Sequence, residues 1–273
     1  MKLVRYRQDG VVSYGALEAD FIYCLDDSIF ADKITTGEPL CGVEAVELLP
    51  PCEPHTITSI GANYASRCRE NNLAIPTEPG RGDRFYIPPG ALTGPGGLIL
   101  LPSQETRREY GGELGIVMRR ACRNVSVAQA ADYILGYTIV NNVWAKDPPG
   151  SQRPAQQRIR AYQSFCPTGP CIATGLDPSN LTWQTRVNGV VRQKANTSEM
   201  LFSPAEIVAN ISSWQSLEPG DLIQCGTAAG VGLLKPGDVC EIEFEGIGIL
   251  RNLAVAREGM QPLDLVWIDY RGD

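Results

Sequence analysis

The sequence is poor in histidine, with a single His among its 273 residues. One imidazole excludes a metal site built from two or three histidines and any mechanism that needs two. The nine cysteines contain no C-x-x-C pair, which argues against a zinc knuckle and a disulfide framework. No apolar run approaches the roughly 20 residues that span a bilayer, and charges interrupt the start, where a secretory signal would be apolar. We therefore expect a cytoplasmic protein with no membrane partner.

Basic residues are also in short supply. The 24 Lys and Arg stand against 31 Asp and Glu, which gives a formal net charge of −7. Because nucleic-acid affinity comes largely from clustered Lys and Arg, we expect no nucleic-acid partner. Apolar residues make up 43% of the chain, enough for a sizeable core, and the length suits one large domain with a small addition.

The chain divides into three segments. Residues 1–52 are interpreted as a small β-rich unit, because the Asp9-Gly10 dipeptide between two alternating runs favours a tight hairpin turn. A cluster of prolines at 50–54 ends this unit. Residues 53–257 then form the main domain, mostly strand and loop, and residues 258–273 form a C-terminal tail with an apolar centre.

Two helices and a terminal set of strands are marked by local signals. Ser203 and Glu206 form a capping box around Pro204, and the apolar positions that follow at helical spacing are Ile207, Val208, Ile211 and Trp214. Ser126 opens a second helix, whose apolar stripe is Val127, Ala130, Ala131 and Ile134. Strands are predicted over 221–225, 239–244 and 248–255, the last two as a hairpin.

Three features could carry chemistry on their own. The glycine-rich run at 226–232 could cradle a phosphate, but it lacks the Lys-Ser/Thr of a P-loop and leads into another strand. Cys166 and Cys171 could be nucleophiles only beside a base, and the single histidine is far away in sequence, so inert structural thiols are the preferred interpretation. His55, between a proline and an apolar strand start, is interpreted as structural.

A series of short segments occurs in a fixed order along the chain. The segments are IGANYA (60–65), ALTGPG (91–96), ELGIVM (113–118), GYTIVNN (136–142), FCPTGP (165–170), VNG (187–189), NTS (196–198), FSPAE (202–206), EPGDLI (218–223), GT (226–227) and PGD (236–238). In this order they resemble the fumarylacetoacetate hydrolase superfamily over residues 55–253. The resemblance implies a β-rich α+β fold, a mixed β-sheet roll with a few short helices behind the small N-terminal β unit, usually as a homodimer.

The same resemblance implies a catalytic domain over 53–257 that acts on small keto acids or 1,3-diketones, typically with a divalent cation. The three usual carboxylate ligands of Mg²⁺ or Mn²⁺ fall at Gly111, Glu113 and Asn142, so only Glu113 is kept. A hard cation needs anionic oxygens to offset its dehydration. We therefore expect no cofactor, with Mg or Mn as the alternative and Glu113 as the one remaining ligand.

The positions that activate water in hydrolytic members also differ. Arg67 stands where those members have a histidine, and Glu70 stands where they have a glutamate three residues later. Arginine stays protonated at any physiological pH and cannot act as a base, so hydrolysis by the superfamily route is not expected. Arg160 and Ile87 replace two usual lysines, whereas Lys146 and Asp147 match the basic–acidic pair.

The resemblance then implies one pocket lined by an acidic residue and a ring of donors. Its catalytic residues are Glu113, Arg160, Arg67, Glu70 and Lys146, and its substrate-binding residues are Asn142, Tyr162, Gln163, Gly226 and Thr227. A cation or amide donor can stabilise developing oxyanion charge while a carboxylate moves the proton.

Such a pocket favours a metal-independent lyase, isomerase or cyclase that acts on a small enolisable β-dicarbonyl or polyketide-like compound. Secondary metabolism is the suggested setting. Two alternatives stay open. One is an Mg/Mn-dependent C–C bond hydrolase or decarboxylase with weakened ligands, and the other is a non-catalytic protein that binds a small molecule on the same fold.

Overall fold

The structure, a computed structural model, describes residues 1–81, 84–102, 107–146 and 158–257. The strands of the first third are β1 (Lys2–Gln8), β2 (Val11–Glu18), β3 (Phe21–Leu25), β4 (Thr36–Gly42), β5 (Glu47–Leu49), β6 (Ile57–Ile60), β7 (Arg84–Ile87) and β8 (Leu92–Thr93). Those of the middle are β9 (Leu98–Leu101), β10 (Arg107–Tyr110), β11 (Gly112–Met118), β12 (Ile134–Asn141), β13 (Trp144–Lys146) and β14 (Cys166–Ala173). The last strands are β15 (Thr182–Val187), β16 (Val190–Asn196), β17 (Leu222–Gln224), β18 (Gly232–Leu233), β19 (Val239–Phe244) and β20 (Gly248–Ala256). The α-helices are α1 (Ala65–Glu70), α2 (Val127–Ala130) and α3 (Pro204–Ser212).

The large sheet has twelve strands and runs β4-β3-β2-β1-β14-β12-β11-β17-β6-β7, with β5 on β1 and β8 on β14. The predicted hairpin at its start is confirmed. Asp9 and Gly10 both have positive φ angles (49° and 82°), as the two central residues of a type I′ turn require. Because Lys2 of β1 pairs with Ala173 of β14, the N-terminal strands continue the sheet of the main domain.

Strand β11 lies in the centre of this sheet, and all seven of its residues are buried. A five-stranded sheet, β16-β15-β19-β20-β9, contributes to the same core, where Trp183 stacks on Phe244 at 5.2 Å between ring centroids. A three-stranded sheet, β13-β10-β18, continues from the start of β11. The β-rich α+β fold expected from the sequence is confirmed.

The helices follow the local signals only in part. Helix α3 has the predicted capping box, with Glu206 N–H donating to Ser203 Oγ at 3.3 Å, but it ends before Trp214. The helix predicted from Ser126 has its capping box but extends only four residues, and a 3₁₀ turn follows it. The predicted stripe was wrong because Ile134 begins β12 and Val127 is 49% exposed.

The C-terminal strands were predicted within a residue or two. Strands β19 and β20 form the expected hairpin, with Gly246 in its turn at φ 77°. The predicted tail, residues 258–273, lies outside the described residues. Within the part of the chain that is described, no helix is long and apolar enough to cross a membrane.

Candidate active site

Glu113 is a buried carboxylate on β11, and only 2% of the residue is exposed. Its Oε1 accepts a hydrogen bond from Asn142 Nδ2 at 2.9 Å, and its Oε2 accepts one from the Gly226 backbone N–H at 2.7 Å. Two N–H donors offset part of the cost of burying a charge, and bonds to a charged acceptor are the stronger kind. The structure thus brings together three residues from separate segments of the sequence.

The glycine-rich run after β17 supplies backbone donors to two carboxylates of this chain. Besides the Gly226 N–H on Glu113, the Gly230 N–H donates to Glu70 Oε1 at 2.9 Å. Both glycines have positive φ (85° and 93°), and a Cβ on Gly230 would overlap a backbone carbonyl oxygen. These constraints explain why glycine is needed here. The donors that a phosphate-binding loop would direct at its ligand are directed at Glu113 and Glu70.

Asn63 holds this turn in place, a role that the sequence did not reveal. The residue is fully buried, and its Nδ2 donates to the Cys225 carbonyl at 2.8 Å and to the Phe202 carbonyl at 3.1 Å. Its Oδ1 accepts the Phe202 N–H at 2.9 Å. These bonds link the start of α1 to the residue before Gly226, so they fix the donor that binds Glu113.

Arg67 and Glu70 lie one turn apart on α1 and form an ion pair. Glu70 also accepts the Gly230 N–H, so each of its carboxylate oxygens has a donor. The guanidinium carbon of Arg67 is 5.9 Å from the Trp144 ring centroid. Glu70 therefore anchors Arg67 between the glycine turn and an aromatic ring.

Trp144, at the start of β13, has two arginine side chains over its ring. The guanidinium carbon of Arg160 lies 5.3 Å from the Trp144 centroid and 3.7 Å from that of Phe85, within cation–π range. Trp144 is 5% exposed. We call these four residues, Arg67, Phe85, Trp144 and Arg160, the Trp144 cluster. No role for Trp144 or Phe85 was predicted, because nothing in the neighbouring sequence shows which groups contact them.

Gly111 lies next to Trp144, one member of this cluster. A Cβ on Gly111 would be 3.2 Å from Trp144 Cζ3 and 3.3 Å from Thr227 Cγ2. Thr227 is fixed in turn, since its Oγ1 donates to the Gly112 carbonyl at 2.8 Å and accepts from Gln193 Nε2 at 2.9 Å. The space above Gly111 is therefore filled by side chains of this protein.

The residues present do not fit a tightly held Mg²⁺ or Mn²⁺. Asn142 Nδ2 donates one N–H to Glu113 Oε1 and the other to Ser59 Oγ, so a donor faces the carboxylate that a cation would need. The side-chain oxygen of Asn142, Oδ1, is buried without a hydrogen-bond partner, but it is a neutral amide oxygen. Among the described residues, no three His, Cys, Asp or Glu side chains are grouped to hold a metal ion, whereas hard cations take several anionic oxygens.

The remaining predicted site residues are Tyr162, Gln163 and Lys146. Tyr162 is half-buried, with its ring centroid 5.0 Å from that of Phe165. Gln163 is exposed, and no contact of its side chain with the site is described. Lys146 ends β13, but its side chain lies outside the described part, as does Asp147. The catalytic and binding roles assigned from the sequence stay predictions.

The two candidate nucleophiles are buried, as predicted. Burial raises the pKa of the Cys166 thiol to about 12, and Gln224 Nε2 donates to its sulfur at 3.1 Å. Burial likewise raises the pKa of Cys171 to about 11. Neither forms much thiolate at neutral pH, so neither is a ready nucleophile. His55 is exposed on the segment before β6.

The sequence matches two family models that meet near residue 52. The family described as "Fumarylacetoacetate (FAA) hydrolase C-terminal" matches residues 56–255, and "Rv2993c-like, N-terminal" matches residues 1–51. The chain belongs to the fumarylacetoacetate hydrolase family. Its membership confirms the resemblance inferred from the ordered motifs, and with it the prediction of an enzyme of this superfamily.

Individual family members are similar over most of the chain. Protein Rv2993c of Mycobacterium tuberculosis is 43% identical over 217 residues, which cover 78% of this chain and 80% of that protein. The mitochondrial oxaloacetate tautomerase FAHD2A of Bos taurus is 33% identical over 78% of this chain and 70% of its own length. A crystal structure of 5-carboxymethyl-2-hydroxymuconate delta-isomerase from Mycobacterium smegmatis superimposes with a TM-score of 0.83 at 35% identity, over 94% of this chain and all of that one.

Proposed function

We propose that this chain is an isomerase-type enzyme that enolises a small carbonyl compound at Glu113 without a bound divalent cation. The observation that carries the proposal is the buried Glu113 carboxylate, held by Asn142 and Gly226 beside the Trp144 cluster. The class is supported by the family members, whose names include a delta-isomerase and an oxaloacetate tautomerase. Metal independence is supported by the oxygen groups at this position among the described residues, which are the Glu113 carboxylate and the Asn142 amide.

The proposed step begins when Glu113 takes a proton from the carbon next to a carbonyl group. The C–H electron pair becomes the C=C bond of an enolate, and the carbonyl pair moves onto oxygen. The guanidinium groups of Arg67 and Arg160 stabilise that oxygen, a task that a divalent cation otherwise performs. Glu113 then returns the proton to a different carbon or to the enolate oxygen, so the isomerisation needs no co-reactant. Decarboxylation of a β-keto acid would form an enolate of the same kind as CO₂ leaves, and a ring closure would start from the enolate, so both need the same stabilisation of the oxygen.

The proposal that these groups act together is supported by a series of contacts that links them. Glu113 is bonded to Asn142 and to Gly226, and Thr227, which follows Gly226, lies beside Gly111. Gly111 in turn lies next to Trp144, and the guanidinium groups of both arginines lie over the Trp144 ring. This series of contacts supports a single proposed site in which a substrate meets both the carboxylate and the guanidinium groups, while the volume at Gly111 itself is taken by Trp144 and Thr227.

Proton exchange with solvent tests the proposal without knowledge of the full reaction. Purified protein in D₂O with excess chelator is mixed with oxaloacetate, a keto acid, or with acetylacetone, an uncharged 1,3-diketone, and loss of the acidic C–H signal is followed by ¹H NMR. We expect the enzyme to accelerate exchange for at least one of the two classes. Saturable binding with exchange at the uncatalysed rate for both would contradict the proposal and favour a non-catalytic binding protein.

A further inference from the structure

Trp144 stands where two features of the site meet. One is the pair of guanidinium groups of Arg67 and Arg160, both within 6 Å of its ring centroid. The other is Gly111, whose missing side chain would contact the six-membered part of the indole at 3.2 Å. The indole is almost fully buried, so it has little freedom to move aside.

The space above Gly111 is closed on its second side as well. Thr227 Cγ2 would lie 3.3 Å from the same Cβ, and the Thr227 hydroxyl is held by the Gly112 carbonyl and by Gln193. A contact of 3.2–3.3 Å is tighter than ordinary van der Waals packing, so even one methyl group requires a small shift. A glutamate at position 111 starts from this same Cβ, so it requires the indole or Thr227 to move. The residues at 111 and 144 therefore compete for one volume.

We propose that Trp144 is the residue that excludes a divalent cation from this site, by filling the volume that an acidic side chain at position 111 would need. The inference deepens the proposed function, on which it rests, because it names what stands in place of the metal ligand. Gly111 and Trp144 then form a matched pair, and replacement of the lost carboxylates alone does not restore a metal site.

Manganese binding across a series of variants tests this pairing. The series comprises the wild type, the double variant Gly111→Glu/Asn142→Asp, and the triple variant that adds Trp144→Ala, each titrated with Mn²⁺ by calorimetry and by the EPR signal of free Mn²⁺. We expect the triple variant to bind Mn²⁺ about tenfold or more tightly than the double variant. The double variant should bind as weakly as the wild type, since the new glutamate cannot enter its place.

A matched control separates the indole at 144 from the loss of any tryptophan. Trp214 also carries a guanidinium, that of Arg84 at 5.2 Å, but it follows α3 and does not contact Gly111. Trp214→Ala added to the same double variant should leave Mn²⁺ binding unchanged. Equal affinity of the double and triple variants, or a wild type that binds Mn²⁺ as tightly as the triple variant, would overturn the proposal.

A milder double-mutant cycle covers the case in which the triple variant does not fold. Gly111→Ala introduces only the methyl group, and Trp144→Phe removes the ring atom nearest to it. We expect the alanine to cost less unfolding free energy in the phenylalanine background than in the wild type, because the two residues share a volume. Additive effects would refute the shared volume. Neither measurement involves enolisation, so absent proton exchange with intact coupling would refute the proposed function alone.

Discussion

Replacement of Glu113 by glutamine removes the proposed proton carrier while keeping the shape of the site. Glutamine offers one oxygen, which can accept the Gly226 N–H, and its NH₂ group then faces Asn142. Asn142 Oδ1 is buried without a hydrogen-bond partner, so a half-turn of that amide presents an acceptor to the new donor. Both bonds are then kept in neutral form. Since bonds to charged groups contribute about 1.5–3 kcal/mol and neutral ones about 0.5–1.5, each of the two bonds loses about 1–1.5 kcal/mol. We therefore expect a cost of about 2–3 kcal/mol, which lowers Tm by roughly 4–12 °C.

The effect on turnover should be much larger than the effect on stability. General acid–base catalysis contributes about 10²–10⁴-fold, so the rate of solvent exchange in D₂O should fall by about that factor in Glu113→Gln. Glu243→Gln is the matched control, because it also removes a carboxylate that accepts hydrogen bonds from two donors, here the side chains of Gln184 at 2.9 Å and Arg186 at 2.7 Å, but in the five-stranded sheet. The control should keep the full exchange rate. Full activity in a folded Glu113→Gln enzyme would refute the assignment of the proton carrier.

Three further outcomes follow from the geometry. In native protein at pH 8, a thiol reagent should label no more than Cys24 and Cys41, the two cysteines that are not buried, and labelling of all nine before denaturation would contradict the burial described. In urea unfolding, Gly230→Ala should cost roughly 1–3 kcal/mol more free energy of unfolding than Gly237→Ala. Both glycines have a positive φ, but only Gly230 has a carbonyl oxygen against its Cβ position. Equal costs would show that the turn relaxes. Asn63→Ala should cost at least about 2 kcal/mol, since it leaves buried backbone groups without partners, and a neutral substitution in calorimetry would disprove its role in fixing the turn.

The features that sequence anticipated are those specified by neighbouring residues. The Asp9-Gly10 turn and the Ser203 capping box each depend on residues within four positions of one another, so the local sequence is enough to predict them. Helix α1 had no such signal, because its N-cap, Tyr64, makes no side-chain capping bond. The stripe after Ser126 failed for a different reason: the pairing of β12 with β11 and β14 takes Ile134 into the sheet.

The site shows the same division between local and distant information. The ordered motifs located Glu113, Asn142 and Gly226, whose mutual hydrogen bonds the structure then displays. The contact between Trp144 and Gly111 depends on the register of β10 against β13, where Glu109 pairs with Trp144, and register cannot be derived from either segment alone. Asn63 was part of a recognised motif, but its role emerged only from the distant carbonyl groups that it binds.

In the proposed function, the enzyme enolises its substrate at Glu113 without a divalent cation. The most direct measurement is the rate of C–H exchange in D₂O for one enzyme sample, first after exhaustive removal of metals with the residual content determined by mass spectrometry, and then with Mn²⁺ added in steps. We predict the same accelerated rate at every Mn²⁺ concentration. Loss of exchange in the metal-free sample, with recovery in proportion to bound Mn²⁺, would contradict the account.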